Sequence, residues 1–297
     1  MKSYYKKIRY IGEYILFQLF TSFLKIIGFR NSVNFCKILA QKIGPYLSVT
    51  KIAERNLIRV FGKNVDTSQV IKQIWDNFGR YIGEFPFIST LSDQQMSKIL
   101  TLEGLENIKH YQDRQQPFIM FLAHLANWDL AIRCVEHLYP KIAIVYRKAN
   151  NPYVDMAILK TRNSNKKILM IEKGRAGSRI LFKAIKDGYS IIMLVDQKMN
   201  DGIEVPFFGM PAMTADAIAK ISLQYNYPII PVQIVRTEGA DVDVSCFKII
   251  FNPEIKYEVT GDKTRDIYNI MLQINQKVES WIKEKPAQWF WFHNRWK

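Results

Sequence analysis

A chain of 297 residues with a formal net charge of +15, 48% apolar and 13% aromatic residues, holds enough apolar material for a large buried core and excludes disorder. The charge implies an anionic partner, which is nucleic acid, a membrane surface, or a phosphorylated or acidic substrate; without a tight Lys/Arg block or zinc-finger spacing, nucleic acid has net charge alone behind it. Its 3 cysteines, Cys36, Cys134 and Cys246, are far apart and odd in number, so they read as small apolar core residues of a reducing compartment, not as a disulfide framework.

The chain starts basic, with Lys2, Lys6, Lys7 and Arg9, and continues into an apolar stretch over 10–29 broken by Glu13, Gln18 and Lys25. It lacks the small-x-small site of a signal peptide. Its length suits a transmembrane span, but the polar interruptions fit an amphipathic helix in the interface better, with Phe and Leu down and lysines at the headgroups. Either way the basic start faces the cytoplasm. Residues 1–30 are therefore expected to be a membrane anchor or interfacial helix, and 31–297 one α/β domain with a helical lead over 31–115. In that lead, Phe35, Ile38, Leu39 and Ile43 recur at helical spacing, as do Val70, Ile74, Phe78, Tyr81 and Ile82 behind the helix start at Asp66.

From 117 the pattern changes. Strand-like apolar runs at 118–123, 142–146, 168–172, 190–195, 229–235 and 246–251 alternate with helical stretches at 127–138, 152–162, 176–187 and 214–226. This alternation predicts an α/β fold: a mixed, largely buried sheet flanked by helices. A last helix over 262–285 carries Ile267, Ile270, Met271, Ile274, Val278 and Trp281 on one face.

The first of these runs stops at His124, and Asn127 can cap the helix that follows. A histidine at a strand-to-helix turn with Asp129 in the first helical turn suits a general base and its orienting carboxylate, one ring nitrogen held and the other free. Loops beyond the other strands carry Tyr146-Arg147-Lys148, Asp196-Gln197-Lys198 and the aromatic Val205-Pro-Phe-Phe-Gly209, and the chain closes on Gln288-Trp-Phe-Trp-Phe-His293-Asn-Arg-Trp-Lys297. Open α/β sheets place ligands at such loops. Phe207 and Phe208 are expected either as core or as an acyl pocket, and Arg295 either as a substrate contact or as packing.

An ordered set of motifs carries a resemblance: Ala53-Glu-Arg-Asn-Leu57, His124-Leu-Ala-Asn-Trp-Asp129, Val145-Tyr-Arg147 with Asn151-Pro152, Gly188 followed by Asp196-Gln197, Pro206-Phe-Phe-Gly209, and Trp291-Phe-His-Asn-Arg295-Trp-Lys297. The chain resembles the lysophospholipid and lipid A acyltransferase superfamily, and within it the lauroyl/myristoyl acyltransferases of bacterial lipid A assembly. Many relatives carry Glu where this chain has Asp129, and the Phe-Pro-Glu-Gly-Thr element of glycerol-phosphate acyltransferases is missing here. The resemblance implies acyl transfer from acyl carrier protein, with acyl-CoA as the other thioester donor, to a hydroxyl of a Kdo-bearing lipid A precursor. It implies no cofactor or metal, and a place on the cytoplasmic face of the bacterial inner membrane.

His124 and Asp129 are then the catalytic pair, with the imidazole as the base. Arg147 or amides near Asn127 are the expected oxyanion donors. Arg175, Arg179 and Lys198 are expected at the phosphates of the anionic acceptor, Arg suiting bidentate contact. The alternatives are an acyltransferase for another membrane glycolipid or phospholipid, and a non-catalytic basic lipid-binding protein.

Overall fold

The computed structural model describes residues 2–163, 168–237 and 245–296. Helices α1 (Lys2–Ile27), α2 (Phe29–Ile43), α3 (Thr50–Phe61) and α4 (Thr67–Glu84) form the lead, followed by α5 (Asp93–Ile99), β1 (Leu100–Glu103) and α6 (Glu106–Asp113). Strand–helix alternation then runs β2 (Ile119–Leu122), α7 (Trp128–Leu138), β3 (Ile142–Tyr146), α8 (Pro152–Arg162), β4 (Ile168–Glu172), α9 (Arg175–Lys186) and β5 (Ser190–Leu194). A hairpin, β6 (Ile203–Phe207) and β7 (Met210–Thr214), precedes α10 (Ala217–Tyr225), β8 (Ile229–Thr237), β9 (Cys246–Phe251) and α11 (Lys263–Glu284).

Seven strands make one sheet in the order β1-β9-β8-β2-β5-β3-β4, parallel throughout except where β8 meets β9. The chain is therefore α/β with a mostly parallel sheet, as expected. Every residue of the central β2 is buried, which is why it reads as an unbroken apolar run without alternation. The steps β2→α7→β3 and β3→α8→β4 move one way along the sheet, while β4→α9→β5 and β5→α10→β8 move back. Right-handed crossovers therefore put α7 and α8 on one face and α9 and α10 on the other. Contacts agree with this. Tyr81 of α4 and Arg162 of α8 meet on Asp129 of α7, while the Phe182 ring of α9 meets Tyr225 of α10.

The hairpin was not expected from the pattern, which shows only an aromatic loop. Pro206 pairs with Pro211, and Phe208 and Gly209 both turn with positive φ (53° and 71°), the geometry of a two-residue primed turn. Prolines mask the strands, and Phe at a left-handed position masks the turn. In the lead, α2 lies so close to α4 that a Cβ on Gly79 would sit 2.6 Å from the Cys36 carbonyl, and one on Gly83 2.6 Å from that of Ser32. This docking uses one face of α2 and leaves Phe35, Ile38, Leu39 and Ile43 exposed on another.

Candidate active site

Parallel pairing builds the site. Leu122 at the end of β2 lies beside Leu194 at the end of β5, so the residues two further on, His124 and Asp196, emerge side by side. Asp196 is fully enclosed, and its Oδ1 lies 2.7 Å from Nδ1 of His124 while Oδ2 accepts from the His124 backbone N–H at 3.1 Å. The indole of Trp289 donates a third bond to Oδ2 at 2.7 Å. Burial alone would raise the Asp196 pKa, but the facing His124 ring and amide, with His293 behind them, hold it well below the ordinary carboxylate range. A carboxylate on Nδ1 fixes the tautomer that keeps the proton there and leaves Nε2 as the acceptor.

The turn carrying His124 is stitched to the C-terminal segment. The Ala126 N–H donates to the Gln288 carbonyl, and the Phe290 N–H to the His124 carbonyl, both at 2.9 Å. Ala126 has φ of 46°, a strained position for a residue with a Cβ, held by these bonds. Asn127 caps α7 by accepting from the Leu130 N–H, and its own amide donates to Glu84 at 2.8 Å. Glu84 also pairs with Arg236. Burial alone would raise the Glu84 pKa, and the Arg236 charge outweighs it to give a lowered value.

His124 opens into a cleft of about 410 Å³ at the carboxyl ends of the parallel strands. Trp128, Asp129, Tyr146, Arg147, Lys148, Arg162, Lys173, Gln197 and Phe290 border it, over an apolar floor that includes Ile132, Ile144 and Met170. The Trp128 ring meets His124 edge-on at 5.0 Å and stacks on Tyr81 at 4.2 Å. The Gln197 amide nitrogen lies 3.5 Å from Nε2 of His124, a long contact at the cleft wall. Asp129 is buried and turned away from the imidazole. Arg162 brings Nε to 2.8 Å from its Oδ1 and donates from Nη2 to Oδ2 at 3.1 Å, and Tyr81 donates to Oδ2 at 2.7 Å. Burial and the Asp129 charge raise the Tyr81 pKa well above its usual value, so its proton stays in that bond.

The family model for bacterial lipid A biosynthesis acyltransferases matches residues 1–297, the whole chain. The chain belongs to that family. It is 24% identical over 252 residues to the lipid A biosynthesis palmitoleoyltransferase of Escherichia coli (strain K12) and to the lipid A biosynthesis acyltransferase of Shigella flexneri, covering 83% of this chain and 78% of each relative. It is 22% identical over 255 residues to the lipid A biosynthesis lauroyltransferase of Escherichia coli (strain K12), with the same coverage. The protein is thus an O-acyltransferase of lipid A biosynthesis.

Within this acyltransferase the residues expected at the site divide. His124, Asp129, Arg147 and Gln197 border the cleft, and Asp196 stands directly behind His124. The contact expected between His124 and Asp129 is replaced by His124–Asp196, because the first turn of α7 points Asp129 at α4 and α8 while the neighbouring strand delivers Asp196. Asn127 is a buried cap and does not face the cleft. Arg175 and Arg179 are exposed on α9, and Lys198 also lies off the cleft wall. Phe207 is fully buried against Trp289 and Trp296, Phe208 is half-buried in the hairpin turn, and neither borders the cleft.

Arg295 is fully buried beneath the hairpin, donating to the Met213 carbonyl at 2.9 Å and to Thr214 Oγ1 at 2.7 Å, with its guanidinium over the Phe207 ring. Lys297 of the closing motif lies outside the described residues. Sequence reasoning did not single out Tyr81, Arg162, Trp289 or Phe290 as partners. Arg162 looks like an ordinary cation in the last turn of a helix, and nothing local marks it as the counter-ion of Asp129.

Proposed function

We propose that the protein moves a fatty acyl group from an acyl carrier protein thioester to a hydroxyl of a Kdo-bearing lipid A precursor, with His124 as general base oriented by Asp196. The observation that carries the reading is the Nδ1–Asp196 contact at 2.7 Å, which leaves Nε2 turned to the cleft. The acceptor oxygen attacks the thioester carbon as its proton passes to Nε2. The tetrahedral intermediate then expels the thiolate, breaking C–S, and the imidazolium returns the proton to sulfur. Gln197 and Arg147 stand on the cleft wall as donors for the developing oxyanion. Arg147, Lys148 and Lys173 give the cleft rim the positive charge an anionic, phosphorylated acceptor needs. No metal is required by these steps.

The membrane supplies the acceptor, and two helices fit that surface. α1 exposes Ile8, Ile11, Ile15, Leu16, Leu19, Phe23 and Ile26, and α2 with the turn after it exposes Phe35, Ile38, Leu39, Ile43, Tyr46 and Leu47. Phe23 and Phe35 touch at 5.4 Å, so the two faces are continuous. α1 also lies along the body: Asn151 at the start of α8 donates to the Tyr10 carbonyl and to Glu13, and Leu24 is fully buried. A helix held side-on in this way lies in the cytoplasmic interface of the inner membrane, with Lys6, Lys7, Arg9 and Lys25 at the headgroups. Deleting residues 1–29 should weaken membrane binding, and adding Ile38→Glu and Ile43→Glu should release the protein. Sedimentation of that combined variant with membranes after a high-salt wash would place the anchor elsewhere.

Mass spectrometry of the precursor after incubation with membranes and mixed acyl carrier thioesters tests the reaction. One added acyl group that disappears with His124→Ala is the expected result. An unmodified precursor with folded wild-type protein, or acylation of a different glycolipid or phospholipid only, would overturn the assignment.

A further inference from the structure

α9 has two faces of different chemistry. Gly177, Ala184 and Ile185 are buried on one, while Arg175, Arg179, Phe182, Lys183 and Lys186 fall within roughly 100° of arc on the other, given the helical repeat. All five of the latter are exposed, and Phe182 is 46% exposed despite its size. None of the four cations forms an ion pair with an acid among the described residues; Lys186 instead lies 4.5 Å from the Phe182 ring centroid. A solvated surface helix normally interleaves acids with such cations. Here α9 itself carries no acid; Asp187 follows at its end, where its carbonyl accepts from Lys141, and Glu172 ahead of the helix pairs with Lys148.

Two further observations say what this face meets. The buried side of the same helix closes an apolar pocket of about 150 Å³, with Leu181, Ile171, Met193, Val195 and Ile218 on its walls, and this pocket shares Val145, Lys173 and Leu194 with the catalytic cleft. Crossover handedness also puts α9 on the sheet face opposite α8, against which α1 is packed, so its cations face away from the apolar helices. A bilayer that receives α1 and α2 is therefore poorly placed to neutralise them.

We infer that the outer face of α9, through Arg175, Arg179, Lys183, Lys186 and Phe182, docks the acidic carrier protein that delivers the acyl thioester. The inference rests on the thioester-donor reading above. The cations span about 16 Å along the helix, the length of three turns of an acidic partner helix, and Phe182 supplies an apolar contact at their centre. Charge of this kind raises the encounter rate and sets register, while the acyl chain passes beneath the same helix toward His124.

The test compares two donors carrying the same acyl group, one on acyl carrier protein and one on pantetheine, which lacks the protein. With full-length enzyme bearing Arg175→Glu, Arg179→Glu, Lys183→Glu and Lys186→Glu, KM for the carrier-borne donor should rise about tenfold or more while saturated turnover changes little. KM for the pantetheine donor should stay within about twofold, and the wild-type preference for the carrier-borne donor should fall as salt rises past about 0.1 M. Arg175→Gln with Arg179→Gln is the milder variant should the fourfold reversal fail to fold, and it should move the same KM in the same direction. An unchanged KM for the carrier-borne donor in a folded variant overturns the docking, as does an equal rise with both donors. So does a loss of binding to anionic vesicles with unchanged donor kinetics, which would assign the face to lipid. Wild-type enzyme inactive with both donors would instead refute the acyl-transfer reading itself.

Discussion

Two buried aspartates flank the turn that carries His124, and their surroundings differ in kind. Asp196 accepts from one imidazole nitrogen, one amide and one indole, so among the described residues the one ionisable side chain bonded to its carboxylate is the proposed base itself. Asp129 faces a guanidinium and a phenol, and its charge is neutralised by Arg162 whatever state His124 is in. A carboxylate already paired with arginine can do little to stabilise an imidazolium, whereas one aimed at Nδ1 does so as the proton arrives. On the proposed mechanism the C-terminal side of the cleft is therefore arranged for proton transfer, and the helical-lead side for holding an arginine in the wall.

The largest expected effects break the first neighbourhood. His124→Ala should lower turnover by about 10² to 10⁴, the usual worth of a general base. Asp196→Asn keeps the shape but can present its amide to Nδ1 and stabilise the wrong tautomer, so it should lose most of the same factor. The double variant should be little worse than His124→Ala, because the pair acts as one unit. Asp196 should also leave a mark on stability. Its folded pKa lies below the unfolded value, so the unfolded chain binds the proton more readily and acid favours unfolding. The stabilisation is complete above the ordinary carboxylate pKa of about 4 and fades as pH falls below it. Denaturation midpoints of Asp196→Asn should therefore depend less steeply on pH below about 4 than those of the wild type. Normal turnover in a folded Asp196→Asn protein would return the orienting role to Asp129.

That error of pairing shows what a sequence can and cannot carry. His124 and Asp196 each stand out, as the end of an apolar run and the residues just beyond one, and the α/β alternation is legible because each buried strand is a continuous apolar block. Which strand lies beside which is not written in the periodicity. Asp129, five residues from His124, looked closer than Asp196, yet β2 and β5 are parallel neighbours in register, and that puts the distant residue in contact. The counter-ions Tyr81 and Arg162 stayed hidden for the same reason: they converge on Asp129 from helices α4 and α8, and only packing joins them. Arg175 and Arg179 are expected at acceptor phosphates by residue type alone, and nothing in the pattern tells that they stand on α9, off the cleft wall.

The second neighbourhood should respond in stability before turnover. Arg162→Met would leave Asp129 buried without its counter-ion, which typically costs about 3–5 kcal/mol. Adding Asp129→Leu should recover much of that, since an apolar pair of similar volume can replace a buried ion pair. Chemical denaturation of both singles and the double gives the coupling directly. Asp129→Asn should cost less turnover per folded molecule than Asp196→Asn. The reverse order, with stability unaltered, would overturn the contrast between the two aspartates.

The smallest expected effect on turnover comes from Arg295, and it separates packing from chemistry in the closing segment. Its side chain sits beneath the β6–β7 hairpin, bonded to Met213 and Thr214 and capped by Phe207, with no access to the cleft. Burial lowers its pKa to about 10, which still leaves it charged at neutral pH. Arg295→Met keeps the stem that packs on Phe207 and removes two charge-assisted bonds, while the Met213 carbonyl keeps the Met199 N–H and the Thr214 hydroxyl keeps Ala212 and Asn275. Hydrogen bonds from a charged donor are worth about 1.5–3 kcal/mol each, so the melting temperature should fall by several degrees. The hairpin and the terminal segment also carry Trp289, whose indole holds Asp196, so any loss of turnover should follow the fraction unfolded and vanish when assayed well below the melting transition. KM for the acceptor should not move. A raised acceptor KM in a variant that melts normally would show that the arginine touches substrate, through a hairpin that opens.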